Sequence, residues 1–115
     1  MGNTQTYFYK VGNCHLKYTC GSCKKQAEKF NMMHYALKLG SYIFEYSKEG
    51  VSITSDYTDR FNWDEVNISG ETYTSPKDLE FEIERFGNWK GKDYDFSSHN
   101  CQDFVNFCLE RLNST

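Results

Sequence analysis

The chain of 115 residues has 25% charged and 17% aromatic residues and a net charge of −3. Its length suits one domain spanning 1–115, and nine Phe, nine Tyr and two Trp supply bulk for a compact core. No basic cluster exceeds Lys24-Lys25 and no apolar run approaches a bilayer's width, which argues against a nucleic-acid surface and a membrane-spanning helix.

The chain starts Met1-Gly2-Asn3-Thr4-Gln5-Thr6, with the glycine and the later Ser/Thr of a myristoylation motif. Gly2 is therefore a candidate acylation site, and through it a peripheral membrane association. One such chain binds a membrane only marginally. These first residues do not read as a secretory signal, and the odd number of cysteines, five, reads as reduced thiols in a cytoplasmic protein.

Tyr7 to Val11 reads as a first strand. Cys14-His15 and Cys20-Gly21-Ser22-Cys23 follow. One CxxC with a nearby Cys and His is a zinc pattern lacking its second pair, so ordinary structural cysteines compete with a small zinc-stabilised adaptor. Met32 to Leu39 and Tyr42 to Ser47 read as a hairpin turning at Gly40-Ser41, with a third strand at Val51 to Thr54. Asp56 to Asp64 reads as a loop. Glu65 to Ser69 alternates as a strand would, with Gly70 as its turn.

Ser75-Pro76-Lys77-Asp78 has the signals of a helix start, with Leu79, Ile83 and Phe86 as its apolar stripe and Gly87 as its end. Trp89 to Phe96 forms a connector whose Tyr94 and Phe96 are expected to pack under the last helix. That helix starts at Cys101. Phe104, Val105, Cys108, Leu109 and Leu112 recur with helical spacing from it, Asn100 suits the N-cap, and Asp103 can reach back to complete a capping box.

A cysteine at a helix start merits chemical scrutiny, because the positive end of a helix favours the nucleophilic thiolate. The Asp103 charge works against a second anion nearby, so a histidine is needed to hold the ion pair. His34, on the first hairpin strand, is the candidate. Glu45, on the neighbouring strand, can come near position 34 across the ladder and orient the imidazole.

The run His34-Tyr35-Ala36-Leu37-Lys38-Leu39-Gly40 with Tyr42-Ile43-Phe44-Glu45 resembles the histidine hairpin of the circularly permuted papain-like proteins of the NlpC-type superfamily. Tyr94-Asp95-Phe96-Ser97-Ser98-His99-Asn100-Cys101-Gln102-Asp103-Phe104-Val105 resembles their nucleophile helix. Relatives of this kind include the PPPDE thiol peptidases and the lecithin retinol acyltransferase-like enzymes, and histidine first, cysteine last is the permuted order. The resemblance implies an α+β fold with a small antiparallel sheet packed against the nucleophile helix, Cys101 as nucleophile, His34 as base and Glu45 as third member. It implies no metal and no organic cofactor. Substrates would be proteins, peptides or isopeptides, with lipid esters as the alternative. Gln102-Asp103 departs from the Glu-His of the acyltransferase-like branch. A non-catalytic binding module of the same fold is the remaining alternative.

Overall fold

The computed structural model describes residues 5–14, 34–56, 63–95 and 97–113, leaving aside the side chains of residues 13, 14, 34 and 63–67. Five strands form one antiparallel sheet: β1 (Tyr7–Cys14), β2 (His34–Leu39), β3 (Tyr42–Ser47), β4 (Gly50–Ser55) and β5 (Trp63–Thr72). The spatial order is β4-β3-β2-β1-β5. Helix α1 (Pro76–Phe86), a short 3₁₀ turn (Gly91–Asp93) and helix α2 (Cys101–Asn113) follow, completing an α+β architecture.

Hydrophobic alternation selects the covered face. Tyr9 and Val11 of β1, Leu37 and Leu39 of β2, and Phe44 and Tyr46 of β3 share a cluster with Leu79 and Ile83 of α1 and Phe104, Val105, Cys108 and Leu112 of α2. Full burial of each large side chain is worth about 1.5–3 kcal/mol. The alternate positions Ala36, Lys38 and Ile43 are also buried. There Lys38 forms a 3.6 Å ion pair with the buried Asp56.

The hairpin register pairs Leu37 with Phe44 and Leu39 with Tyr42. Gly40 closes it with φ 59, the left-handed backbone that a tight hairpin turn requires. Helix α1 has the ends its sequence dictates: the Ser75 side chain accepts from Asp78 N, Pro76 is at the first turn, and Gly87 ends it at φ 69. Leu79 and Ile83 are buried, whereas Phe86 stays largely exposed and packs edge-on against Phe107, 5.2 Å between ring centres.

Gly70 is not a turn. β5 runs straight through it. A Cβ at Gly70 would stand 2.7 Å from the Tyr9 hydroxyl and 2.9 Å from Cζ, so the missing side chain makes room for the Tyr9 ring crossing from β1. Among the described residues no helix is long and apolar enough to cross a membrane. The motif at Gly2, the cluster His15, Cys20 and Cys23, the expected strand start at Met32-Met33, and Phe96 lie outside the described residues.

Candidate active site at the start of α2

Helix α2 lies along the sheet with a defined polarity. Its last turn meets one end, where Thr72 Oγ1 donates to Leu112 O at 2.9 Å. Its first turn meets the other end, where Phe104 packs 5.6 Å from the Tyr46 ring near the finish of β3. In an antiparallel hairpin the finish of β3 lies beside the start of β2. Cys101 and the backbone of His34 therefore belong to the same end of the sheet.

The approach to Cys101 is built by local hydrogen bonds. Asp95 Oδ1 accepts from Ser97 N at 2.9 Å, Ser97 Oγ at 2.7 Å and Ser98 N at 3.2 Å. These bonds, the Ser97 hydroxyl first, hold the Asp95 carboxyl below its ordinary range. Asp95 and His99 also exchange backbone hydrogen bonds of 2.9 and 2.8 Å, which close the loop on itself.

The chain then enters the helix through a reciprocal cap. Asn100 Oδ1 accepts from Gln102 N and from Asp103 N, each at 3.1 Å. Asp103 Oδ2 accepts from Asn100 N at 3.1 Å in return. This is the capping-box arrangement with Asn and Asp in its two roles. The Asn100 oxygen thus serves the N–H groups of residues 102 and 103, two of the first-turn donors that a helix start leaves without intrahelical partners.

Cys101 is the first residue of α2 and only 9% exposed, on the same buried face as Phe104, Val105, Cys108 and Leu112. Cys108, two turns further, is wholly buried, and desolvation pushes its thiol well above the ordinary range. One helix thus presents two thiols in different settings, one at its start and one sealed in the core.

His34 opens β2 with its Cα opposite that of Cys14. Its ring lies outside the described side chains. Glu45 pairs with Ser52 of β4 and alternates with the core residues Phe44 and Tyr46, which puts it on the sheet face away from α2. It is half-buried there. Continuing the register by one residue sets Glu45 beside Ala36, so position 34 lies diagonally across the ladder from it. By the same alternation position 34 falls with Ala36 and Lys38 on the Glu45 face, so Cys101 and His34 share an end of the sheet and not a face, and an imidazole would have to reach round that end to meet the sulfur.

An aromatic frame around the start of α2 was not legible as such in the sequence. The His99 ring stacks on Trp89, 4.3 Å between centres at 8°, and meets the Tyr46 ring edge-on at 5.6 Å. Trp89 also contacts Phe104 at 5.3 Å and Phe107 at 5.4 Å. His99 Nε2 lies 2.7 Å from the Asn88 carbonyl oxygen. A carbonyl only accepts, so Nε2 carries the hydrogen. The buried Trp89 Nε1 finds no hydrogen-bond partner among the described residues. The available signal was positional: His99 immediately precedes the N-cap and Phe104 is the fourth helical residue, the two positions of a hydrophobic staple.

A polar hollow of about 510 Å³ opens beside this frame, lined by Gly87, Asn88, Lys90, Lys92, Asp93 and His99. Another, of about 340 Å³, lies by the Gly40 turn between Phe8, Lys10, Lys38 and Gly70, at the end of the sheet where α2 finishes. Among the described residues no group of three or more His, Cys, Asp or Glu is arranged to hold a metal ion. No protein-family model matches the chain, and no curated protein matches it.

Proposed function

We propose that the chain is a cysteine-dependent hydrolase of permuted papain-like fold, acting on amide, peptide or isopeptide bonds, with Cys101 as nucleophile and His34 as general base. The supporting observation is polarity: a capped helix starts with Cys101 at the end of the sheet where β2 starts with His34.

In the reaction, His34 takes the thiol proton and the sulfur attacks the carbonyl carbon. A C–S bond forms while the carbonyl π pair moves onto oxygen. The resulting oxyanion is held by backbone N–H groups at the start of α2, that of Cys101 among them, where the helix end supplies positive potential. Collapse breaks the C–N bond, and the imidazolium gives its proton to the leaving amine. Water, deprotonated by His34, then opens the thioester and releases Cys101. Glu45 has the supporting role of orienting the imidazole from the neighbouring strand. No cofactor enters these steps. An amide substrate is preferred to a lipid ester because Gln102-Asp103 departs from the acyltransferase-like pattern.

The test is selective alkylation. Iodoacetamide at mildly acidic pH is expected to modify Cys101 ahead of the other four cysteines, and Cys101→Ser to abolish covalent trapping by an acyl probe while leaving the fold intact. Trapping that survives in Cys101→Ser would remove the nucleophile from the proposal.

A further inference from the structure

We infer that His99 is a positioning residue for Cys101: it clamps the connector between the helices to the start of α2 and so fixes the direction of the first helical turn. The inference rests on the reading of Cys101 as nucleophile.

Four constraints converge on this residue. Its backbone is locked to Asp95 in both directions, at 2.8 and 2.9 Å. Its ring lies flat on Trp89, at 4.3 Å. Its Nε2–H donates to the Asn88 carbonyl, eleven positions back, at 2.7 Å. Its edge contact with Tyr46 joins it to the last part of β3.

The next residue, Asn100, is the N-cap, and the one after is Cys101. A staple fixes the angle at which a chain enters a helix by packing the residue before the cap against the fourth helical residue. Here those residues are His99 and Phe104, and they are joined through shared partners rather than touching alone. Trp89 meets both, at 4.3 and 5.3 Å, and Tyr46 meets both, each at 5.6 Å. The imidazole adds a directional bond that an apolar staple lacks. That bond ties the helix start to the backbone just beyond α1, so the Cys101 sulfur and N–H are referenced to the rest of the molecule. A misaimed first turn loses attack geometry steeply, because catalysis depends on placement to well under an ångström.

Two substitutions separate the bond from the stack. In His99→Gln the side-chain nitrogen lies the same number of bonds from Cα as Nε2 and can still donate to Asn88 O. In His99→Asn the amide falls one bond short. Both remove the aromatic stack equally. The readout is the iodoacetamide rate at Cys101 in the full-length chain, with Cys108 as internal reporter, since a sealed thiol reacts only when the fold opens.

The expected result is a Cys101 rate within about twofold of the parent in His99→Gln and about fivefold slower in His99→Asn, the scale of one hydrogen bond, with the Cys108 rate unchanged in both. A general loosening would instead raise both thiol rates together and overturn the inference, as would equal Cys101 rates in the two variants. A parent protein whose Cys101 reacts no faster than its other cysteines would overturn the nucleophile reading itself, and the positioning role with it.

Discussion

The Tyr46 hydroxyl donates a 2.8 Å hydrogen bond to the carbonyl oxygen of Lys90, joining the last part of β3 to the connector that leads to Cys101. The same ring meets Trp89 at 5.1 Å, Tyr94 at 5.2 Å and His99 at 5.6 Å. One buried tyrosine is thus the point at which the sheet, the connector and the start of α2 are held in register.

Tyr46→Phe removes that bond and leaves the Lys90 carbonyl with its second donor, Asp93 N at 3.0 Å. It should lower stability by about 1 kcal/mol, and melting by a few degrees, roughly 4 °C per kcal/mol at this size. Burial, and secondarily the charge of Asp93, push the Tyr46 hydroxyl up to about 12. A raised value means the neutral form is the one the fold prefers. Its stabilisation is complete below the ordinary tyrosine range near pH 10 and is lost as pH rises towards 12. Urea midpoints for parent and Tyr46→Phe should therefore converge across that alkaline window. A constant difference up to pH 12 would reject the assignment.

Gly91 makes the second join between connector and sheet. A Cβ there would overlap the Lys48 carbonyl oxygen and stand 3.1 Å from Gly50 N. Both obstacles are backbone in the β3–β4 turn, so neither can rotate away. Gly91→Ala should destabilise by about 1–3 kcal/mol through a lower urea midpoint at unchanged slope. Because the displacement also drags Lys90 from Tyr46, a double variant with Tyr46→Phe should lose less than the sum of the two.

These joins show which parts of the molecule its sequence announces. The ends of α1 were readable because Ser75, Pro76, Asp78 and Gly87 act on neighbours within a few residues. The α2 cap was readable for the same reason, and the hairpin at Gly40 because glycine tolerates positive φ. Gly70 misled, because what decides its role is the Tyr9 ring on a strand far away in sequence. Phe86 fits the helical spacing of Leu79 and Ile83, yet α1 passes the edge of the core before reaching it, and Arg111 covers it instead, 5.0 Å from its ring centre. The bond from His99 to Asn88 was invisible because its acceptor is a backbone carbonyl, which every residue possesses. The capped cysteine was legible; the frame that aims it was not.

Asp95 predicts an acid effect. Its carboxyl is held low by the Ser97 hydroxyl above all, then by the backbone N–H groups of Ser97 and Ser98. A lowered value means the ionised form stabilises the fold. That contribution is present above the ordinary aspartate range near pH 4 and disappears as pH falls through the folded-state value. Ser97→Ala should be less stable than the parent at neutral pH, and the difference should close in acid. Chemical unfolding at pH 7 and pH 2.5 checks this; a gap that persists at the lower pH would mean that Ser97 acts through something other than the carboxylate.

The last prediction separates the two thiols of α2. Cys108 is wholly buried among apolar side chains, where its sulfur fills space and its proton is held tightly. Cys108→Ala should create a small cavity and cost about 1–2 kcal/mol, near the lower end of large-to-small core changes, without altering trapping by an acyl probe. Cys101→Ala lies at the helix start, where alanine is well tolerated and less packing is lost, so it should change stability by less than about 1 kcal/mol while eliminating the covalent adduct. Intact-protein mass after probe treatment, read beside urea midpoints, gives both axes in one experiment. If Cys108→Ala abolishes the adduct while staying folded, or Cys101→Ala retains it, the division of labour between the two sulfurs is wrong.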